Sequence, residues 1–119
     1  MPARSASAFD EVTRAAAFEA NLGKCAGCAK PATEVHHRRP RGMGGSSRPE
    51  IGDASNAVPL CREHHHWAEH NREEARRIGW LLEDWQEPDG TPWWASQWGY
   101  VRWVLDDGCW LIELVRPRS

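Results

Sequence analysis

Two closely spaced ligand pairs constrain this chain more than any other feature: Cys25-Ala26-Gly27-Cys28 and Cys61-Arg62-Glu63-His64. Thiolate and imidazole groups at these spacings close a tetrahedral zinc shell. Such a site would join a turn before one strand to the start of a helix after the next. The chain has 119 residues, enough for one domain with a modest core that a metal staple would reinforce. Its four cysteines could in principle form two disulfides, but the spacing favours zinc in a reducing compartment. A cytoplasmic setting is the expectation. Residues 1–8 lack the apolar stretch of a signal peptide, and no apolar run approaches the roughly 20 residues of a membrane span. Cys109, outside the set, reads as a small apolar residue in a strand.

The pattern predicts an α+β fold. Residues 1–8 read as a disordered lead-in. Phe9 to Leu22 reads as a helix, with Phe9, Val12 and Ala16 at helical steps and Gly23 as its stop. Thr33 to Arg38 reads as a strand that sends Val35 and His37 to one face and Glu34, His36 and Arg38 to the other. Residues 40–55 form a loop rich in Pro, Gly and Ser. Ala57 to Leu60 is a short extended piece, and Pro59 suits an edge. One helix is expected from Arg62 to Ile78, closed by Gly79. It would carry His64, Ala68, Asn71, Ala75 and Ile78 on one stripe and His65, Glu69, Arg72 and Arg76 on the next. In the tryptophan-rich remainder, Tyr100 to Leu105 and Cys109 to Leu114 read as a hairpin around Asp107-Gly108.

Charge is unevenly spread. The net charge is only −2, yet residues 24–48 hold six basic residues against the single acidic Glu34, whereas residues 81–119 hold three basic against seven acidic. A local basic patch of this kind can hold an anionic backbone on a mildly acidic protein. The patch surrounds a second ligand set: His36 and His37, Asn56, and His65 with Glu69 four residues on. His65 and Glu69 share a helix face and can serve one ion together with His36. Unlike the cysteine set, this group leaves positions open for water and substrate.

At these residues the chain resembles the HNH endonuclease superfamily with its ββα-metal motif. The resemblance rests on Glu34-x-His36-His37, then Asn56, then eight residues, then His65-x3-Glu69, and covers about residues 22–82. The core is similar to the DNase domains of nuclease bacteriocins. The run Val35-His36-His37-Arg38-Arg39-Pro40-Arg41-Gly42-Met43-Gly44-Gly45-Ser46 resembles small HNH proteins of actinobacterial phages more closely still. The resemblance implies a zinc-stapled ββα-metal core within residues 9–82, and residues 83–119 as a tryptophan-rich extension whose hairpin packs on the same domain.

It also implies roles. His36 and His65 would be ligands of one catalytic divalent metal (Mg²⁺, Mn²⁺, Ni²⁺ or Zn²⁺). His37 would be the general base, and Asn56 would brace the loop that orients it. Glu69 stands where many relatives carry histidine, which shifts the preference toward harder ions or toward binding through water. A register shifted by one, with His66 and His70 as ligands and His65 on zinc, leaves nine residues after Asn56 and is disfavoured. His36 and His37 point to opposite faces of a regular strand, so both can serve one phosphate only if the strand twists or bulges there.

The expected reaction is hydrolysis of a DNA phosphodiester. Arg38, Arg39, Arg41 and Arg72 are the candidate phosphate contacts. The tryptophans are expected in a core or a partner interface rather than as base-stacking platforms. A phage protein of this kind would act on duplex DNA in the host cytoplasm, in packaging or processing, with terminase or portal proteins as partners and no membrane. Two alternatives differ in consequence: a zinc-stabilised DNA-binding module without catalysis, and a bacteriocin-like DNase domain.

Overall fold

The computed structural model describes residues 9–39 and 53–115 of the chain. Most of the 40–55 loop, and with it Arg41, lies outside the described residues, as does the 1–8 lead-in. The chain is α+β. In order come helix α1 (Glu11–Ala20), strand β1 (Glu34–His37), a 3₁₀ turn (Ala54–Asn56), β2 (Ala57–Leu60), helices α2 (Arg62–His70) and α3 (Arg72–Arg77), and strands β3 (Trp93–Ala95), β4 (Gly99–Asp106) and β5 (Cys109–Leu114).

Helix α1 starts where Asp10 caps it, its carboxylate accepting the Thr13 N–H at 2.7 Å. Phe9 precedes the helix rather than opening it. At the other end Leu22 and Gly23 both turn left-handed, and the Gly23 N–H returns to the Phe18 carbonyl at 2.7 Å. Strands β1 and β2 form an antiparallel pair with Glu34 opposite Leu60, Val35 opposite Pro59, His36 opposite Val58 and His37 opposite Ala57. Every position of β2 is buried, so this short pair is covered on both faces.

Two expectations need correction. The helix from Arg62 to Ile78 is two helices. It breaks at Asn71, whose backbone (φ −132°, ψ 57°) leaves the helical region and whose side chain donates back to the Trp67 carbonyl at 2.9 Å. An asparagine that satisfies a helix-end carbonyl with its own amide competes with continuation of the helix. The Glu69 stripe therefore does not run on to Arg72 and Arg76. The carboxy-terminal hairpin is also part of a larger sheet, because β3 pairs along β4 to give the order β3-β4-β5. The β4–β5 turn is the one expected: Asp107 (φ 50°) and Gly108 (φ 79°) both take the positive φ that a tight hairpin demands.

One hydrophobic core unites both sheets. Phe9, Val35, Val58, Leu60, Ala68 and Ala75 meet Trp80, Trp93, Val101 and Trp103 in it. The three central tryptophans are at most 1 % exposed. Trp80 and Trp103 place their indole N–H groups on the carbonyls of Trp94 (2.8 Å) and Ala57 (3.0 Å). Trp103 thus ties the second sheet to β2. The expectation that tryptophans build core is met at these positions, whereas Trp85, Trp94 and Trp98 are exposed. Among the described residues no helix is long and apolar enough to cross a membrane.

Candidate metal and catalytic site

The cysteine–histidine set assembles at the junction of the chain's first turn and α2. The Cys25 N–H bonds the Lys30 carbonyl (2.7 Å), the Ala26 N–H bonds the Pro59 carbonyl (2.9 Å), and the Thr33 N–H bonds the Leu60 carbonyl (3.0 Å). These bonds lash the Cys25–Cys28 turn to the end of β2, next to Cys61. Cys61 then caps α2, its sulfur accepting the His64 N–H at 3.4 Å. The donor atoms of Cys25, Cys28, Cys61 and His64 all lie within 4.8 Å of one another.

The geometry fits a tetrahedral ion. With Zn–S bonds of about 2.3 Å, two sulfurs of a tetrahedron stand about 3.8 Å apart. Cys28 and Cys61 Sγ are 3.8 Å apart, and Cys61 Sγ lies 3.3 Å from His64 Nδ1. A disulfide would need about 2.05 Å, and all four cysteines are free. Burial pushes the Cys25 thiol up to about 11. Burial also pushes Cys61 up, but hydrogen bonds from the His64 N–H and imidazole and from the Cys25 and Cys28 thiols outweigh it and bring it down to about 7. Gly27 is required by contact: a Cβ there would stand 2.4 Å from the His64 ring. These four residues can hold a metal ion such as zinc. Cys109, by contrast, is exposed at the start of β5.

The second set lies where β1 meets α2. His36 is 5 % exposed, and its ring sits edge-on to that of His65 with centroids 5.1 Å apart. His36 Nε2 lies 2.7 Å from the Trp80 carbonyl. A carbonyl can only accept, so Nε2 carries the proton and Nδ1 keeps its lone pair. His65 Nδ1 lies 2.6 Å from Glu34 Oε1, so Nδ1 carries a proton and Nε2 is turned the other way. That nitrogen faces Glu69 Oε1 at 3.5 Å. That separation of 3.5 Å is close to the N···O edge of about 3.4 Å in a tetrahedral zinc shell. Burial above all, and then the neighbouring charges of His65, His37 and Arg38, hold His36 down at about 4 against the pull of the Trp80 carbonyl, so it is neutral and ligand-ready at neutral pH. His66 and His70 stack on each other with centroids 4.1 Å apart.

Glu34 is a member that the sequence reading left without a role. Alternation along β1 had already placed it on the face of His36. Trp80 is a second such residue. Its carbonyl holds His36, while its indole lies edge-on to His64 with centroids 6.1 Å apart. One residue therefore links the two ligand sets.

His37 lies elsewhere. The pairing of β1 stays regular through His37 and Ala57, with no bulge, so the His37 ring occupies the face opposite His36. It stacks on Phe9 at 4.0 Å and 15°. Asn56 is fully buried and clamps the main chain just beyond: Oδ1 accepts the Arg39 N–H at 2.7 Å and Nδ2 donates to the Arg39 carbonyl at 3.1 Å.

Arg38 and Arg39 are buried, not presented on the surface for phosphate. Arg38 is 0 % exposed and spends all five donors on main-chain carbonyls: Nε on Gly79 (2.8 Å), Nη1 on Ser55 (3.1 Å) and Pro88 (2.7 Å), and Nη2 on Thr91 (2.6 Å) and Pro92 (3.3 Å). Burial pulls its guanidinium down to about 9, still charged at neutral pH. Arg39, 4 % exposed, donates to the carbonyls of Asp84 (2.9 Å) and Gln86. Sequence alone reads two arginines beside a histidine pair as surface charge, yet the planar five-donor group is also well suited to gathering carbonyls from an irregular segment. Gly79 belongs to this arrangement. It adopts φ +81°, and a Cβ would stand 2.0 Å from the Pro92 carbonyl oxygen. Arg72 is exposed on α3.

A cleft of about 340 Å³ opens beside His65 and Glu69, lined also by Glu34, Arg62 and His66. A larger one of about 590 Å³, whose lining includes Arg76, Arg77, Trp98 and Tyr100, shares no residue with it. Compared with known proteins, the chain matches no family model, no curated protein and no solved structure.

Proposed function

We propose that the protein is a metal-dependent DNA endonuclease of the HNH, ββα-metal type, reinforced by a structural zinc ion. The observation that carries this reading is the His36–His65–Glu69 group. The His36 ring sits edge-on to that of His65 with centroids 5.1 Å apart, His65 Nε2 lies 3.5 Å from Glu69 Oε1, and His65 and Glu69 line an open cleft. The succession β1, β2, α2 supports it, as does the clamp of Asn56 on the residue that follows the histidine pair.

A divalent ion held by His36, His65 and Glu69 would supply charge stabilisation for the phosphoryl and leaving oxygens. His36 is held as a neutral imidazole, and Glu34 fixes the ring plane of His65. In this reading His37 is the base that would take the proton of the attacking water, from the face of β1 opposite His36. Mostly backbone contacts to DNA imply weak sequence preference. Cys25, Cys28, Cys61 and His64 hold zinc as a staple, so chelation should unfold the protein rather than slow it selectively. The packaging role, with terminase or portal proteins in the host cytoplasm, belongs to this reading through the resemblance alone.

The test is conversion of supercoiled plasmid to nicked or linear DNA by zinc-loaded protein. A brief wash in weak chelator should stop it, and Mg²⁺, Mn²⁺ or Ni²⁺ should restore it. A zinc-stabilised binding module without catalysis would shift the plasmid in a gel and never cut it.

A further inference from the structure

With Arg38 and Arg39 buried, the described residues leave few cations to meet a phosphate at the cleft. Among the described residues, Lys30, Arg76, Arg77 and Arg102 are each engaged with a glutamate. Arg14 lies over the Phe18 ring, 5.6 Å from its centroid. Lys24, Arg62 and Arg72 are left without an ion-pair partner among the described residues. Of these three, Arg62 alone lines the cleft of His65 and Glu69. Its side chain is exposed, and its guanidinium makes no ion pair with Glu34 or Glu69, although both line the same cleft.

The position is also a fixed one. Arg62 opens α2 immediately after Cys61, whose sulfur caps the helix and belongs to the cysteine–histidine set. Its Cα is thus anchored by the same contacts that hold His64 and His65. Besides His65 and His66, the cleft offers two carboxylates, which repel a phosphodiester. A guanidinium beside them offers the planar, bidentate donor pair that phosphate oxygens accept.

We propose that Arg62 binds a phosphate of the nucleic-acid backbone next to the His36–His65–Glu69 group. Arg62 takes the part that sequence assigns to Arg38 and Arg39. This inference rests on the endonuclease reading, and it deepens that reading by naming how the substrate is gripped.

The test is binding of a short fluorescent DNA duplex to zinc-loaded protein in Ca²⁺, followed by anisotropy over a range of salt concentrations. Arg62→Ala should lower the slope of log affinity against log salt by about 0.9, the value of one phosphate contact. It should weaken binding by about tenfold at physiological salt, as expected for one charge-assisted hydrogen-bonded contact. Arg62→Lys should recover the slope. Arg102→Gln, on the second sheet, should match the parent in slope. Equal slopes for Arg62→Ala and the parent, in a protein that still cuts plasmid, overturn the role of Arg62 and leave the endonuclease reading standing. A folded, zinc-loaded parent that neither binds duplex nor cuts plasmid overturns both.

Discussion

Replacing Arg38 with methionine separates a structural guanidinium from a surface one. The guanidinium holds together the carbonyls of Ser55, Gly79, Pro88, Thr91 and Pro92 at 2.6 to 3.3 Å. Hydrogen bonds to a charged group contribute about 1.5–3 kcal/mol each. Against their sum stands the cost of burying a cation, several kcal/mol. Methionine fills much of the volume and removes that cost, but it leaves five acceptors without a donor, some of which water can reach after relaxation. The net loss should be about 3–5 kcal/mol, the range seen when one partner of a buried charged network is removed. That is a large part of the roughly 5–15 kcal/mol by which a domain is stable. Arg38→Lys, with three donors, should fall between variant and parent. Urea unfolding of the zinc-loaded proteins, followed by tryptophan fluorescence, measures this directly. A methionine variant within about 1 kcal/mol of the parent would refute the reasoning. So would one that folds normally and loses one phosphate contact's worth of salt dependence in DNA binding.

Three further outcomes follow from the sites. His36 drops from its ordinary 6.5 to about 4 in the fold, so protons favour the unfolded chain. Its contribution is fully present above pH 6.5 and is lost as pH falls through 4, up to about 3 kcal/mol. Stability against pH for the parent and for His36→Gln should diverge by that amount over this window, and parallel curves would contradict the assignment. Gly27→Ala puts a Cβ 2.4 Å from the His64 ring, so zinc affinity should fall at least tenfold in a competition titration with a chromogenic chelator. Phe9→Leu removes the ring on which His37 stacks. It should lower kcat about tenfold while calorimetric metal binding stays unchanged; an unaltered kcat would show that the stack does not position His37.

Much of the plan was legible from short-range rules. The Cys25, Cys28, Cys61 and His64 spacings pointed to residues that do meet, because two C-x2-type pairs need only a turn and a helix start to present their donors together. The Asp107-Gly108 signal located the hairpin because only a few residues tolerate positive φ at both turn positions. What sequence missed depends on long-range packing. Nothing local marks Arg38 as buried, since its five partners come from residues 55, 79, 88, 91 and 92. The helix break at Asn71 arises from a side chain that bonds the Trp67 carbonyl, a choice open to any asparagine and forced on none. Strand β3 is three residues long and carries too little alternation to announce itself. Trp80, Trp93 and Trp103 cannot be told from Trp85 by composition; on β3 the pleat turns Trp93 inward and Trp94 outward.

The most direct test of the central claim is plasmid cleavage by three zinc-loaded proteins side by side: parent, His36→Ala and His66→Ala, each with Mn²⁺ or Ni²⁺ added. Cleavage should require the added ion, vanish in His36→Ala and persist at the parent's rate in His66→Ala. If no ion supports cleavage by the folded parent, or if His36→Ala cuts as the parent does, the account of an open metal site at His36, His65 and Glu69 is contradicted.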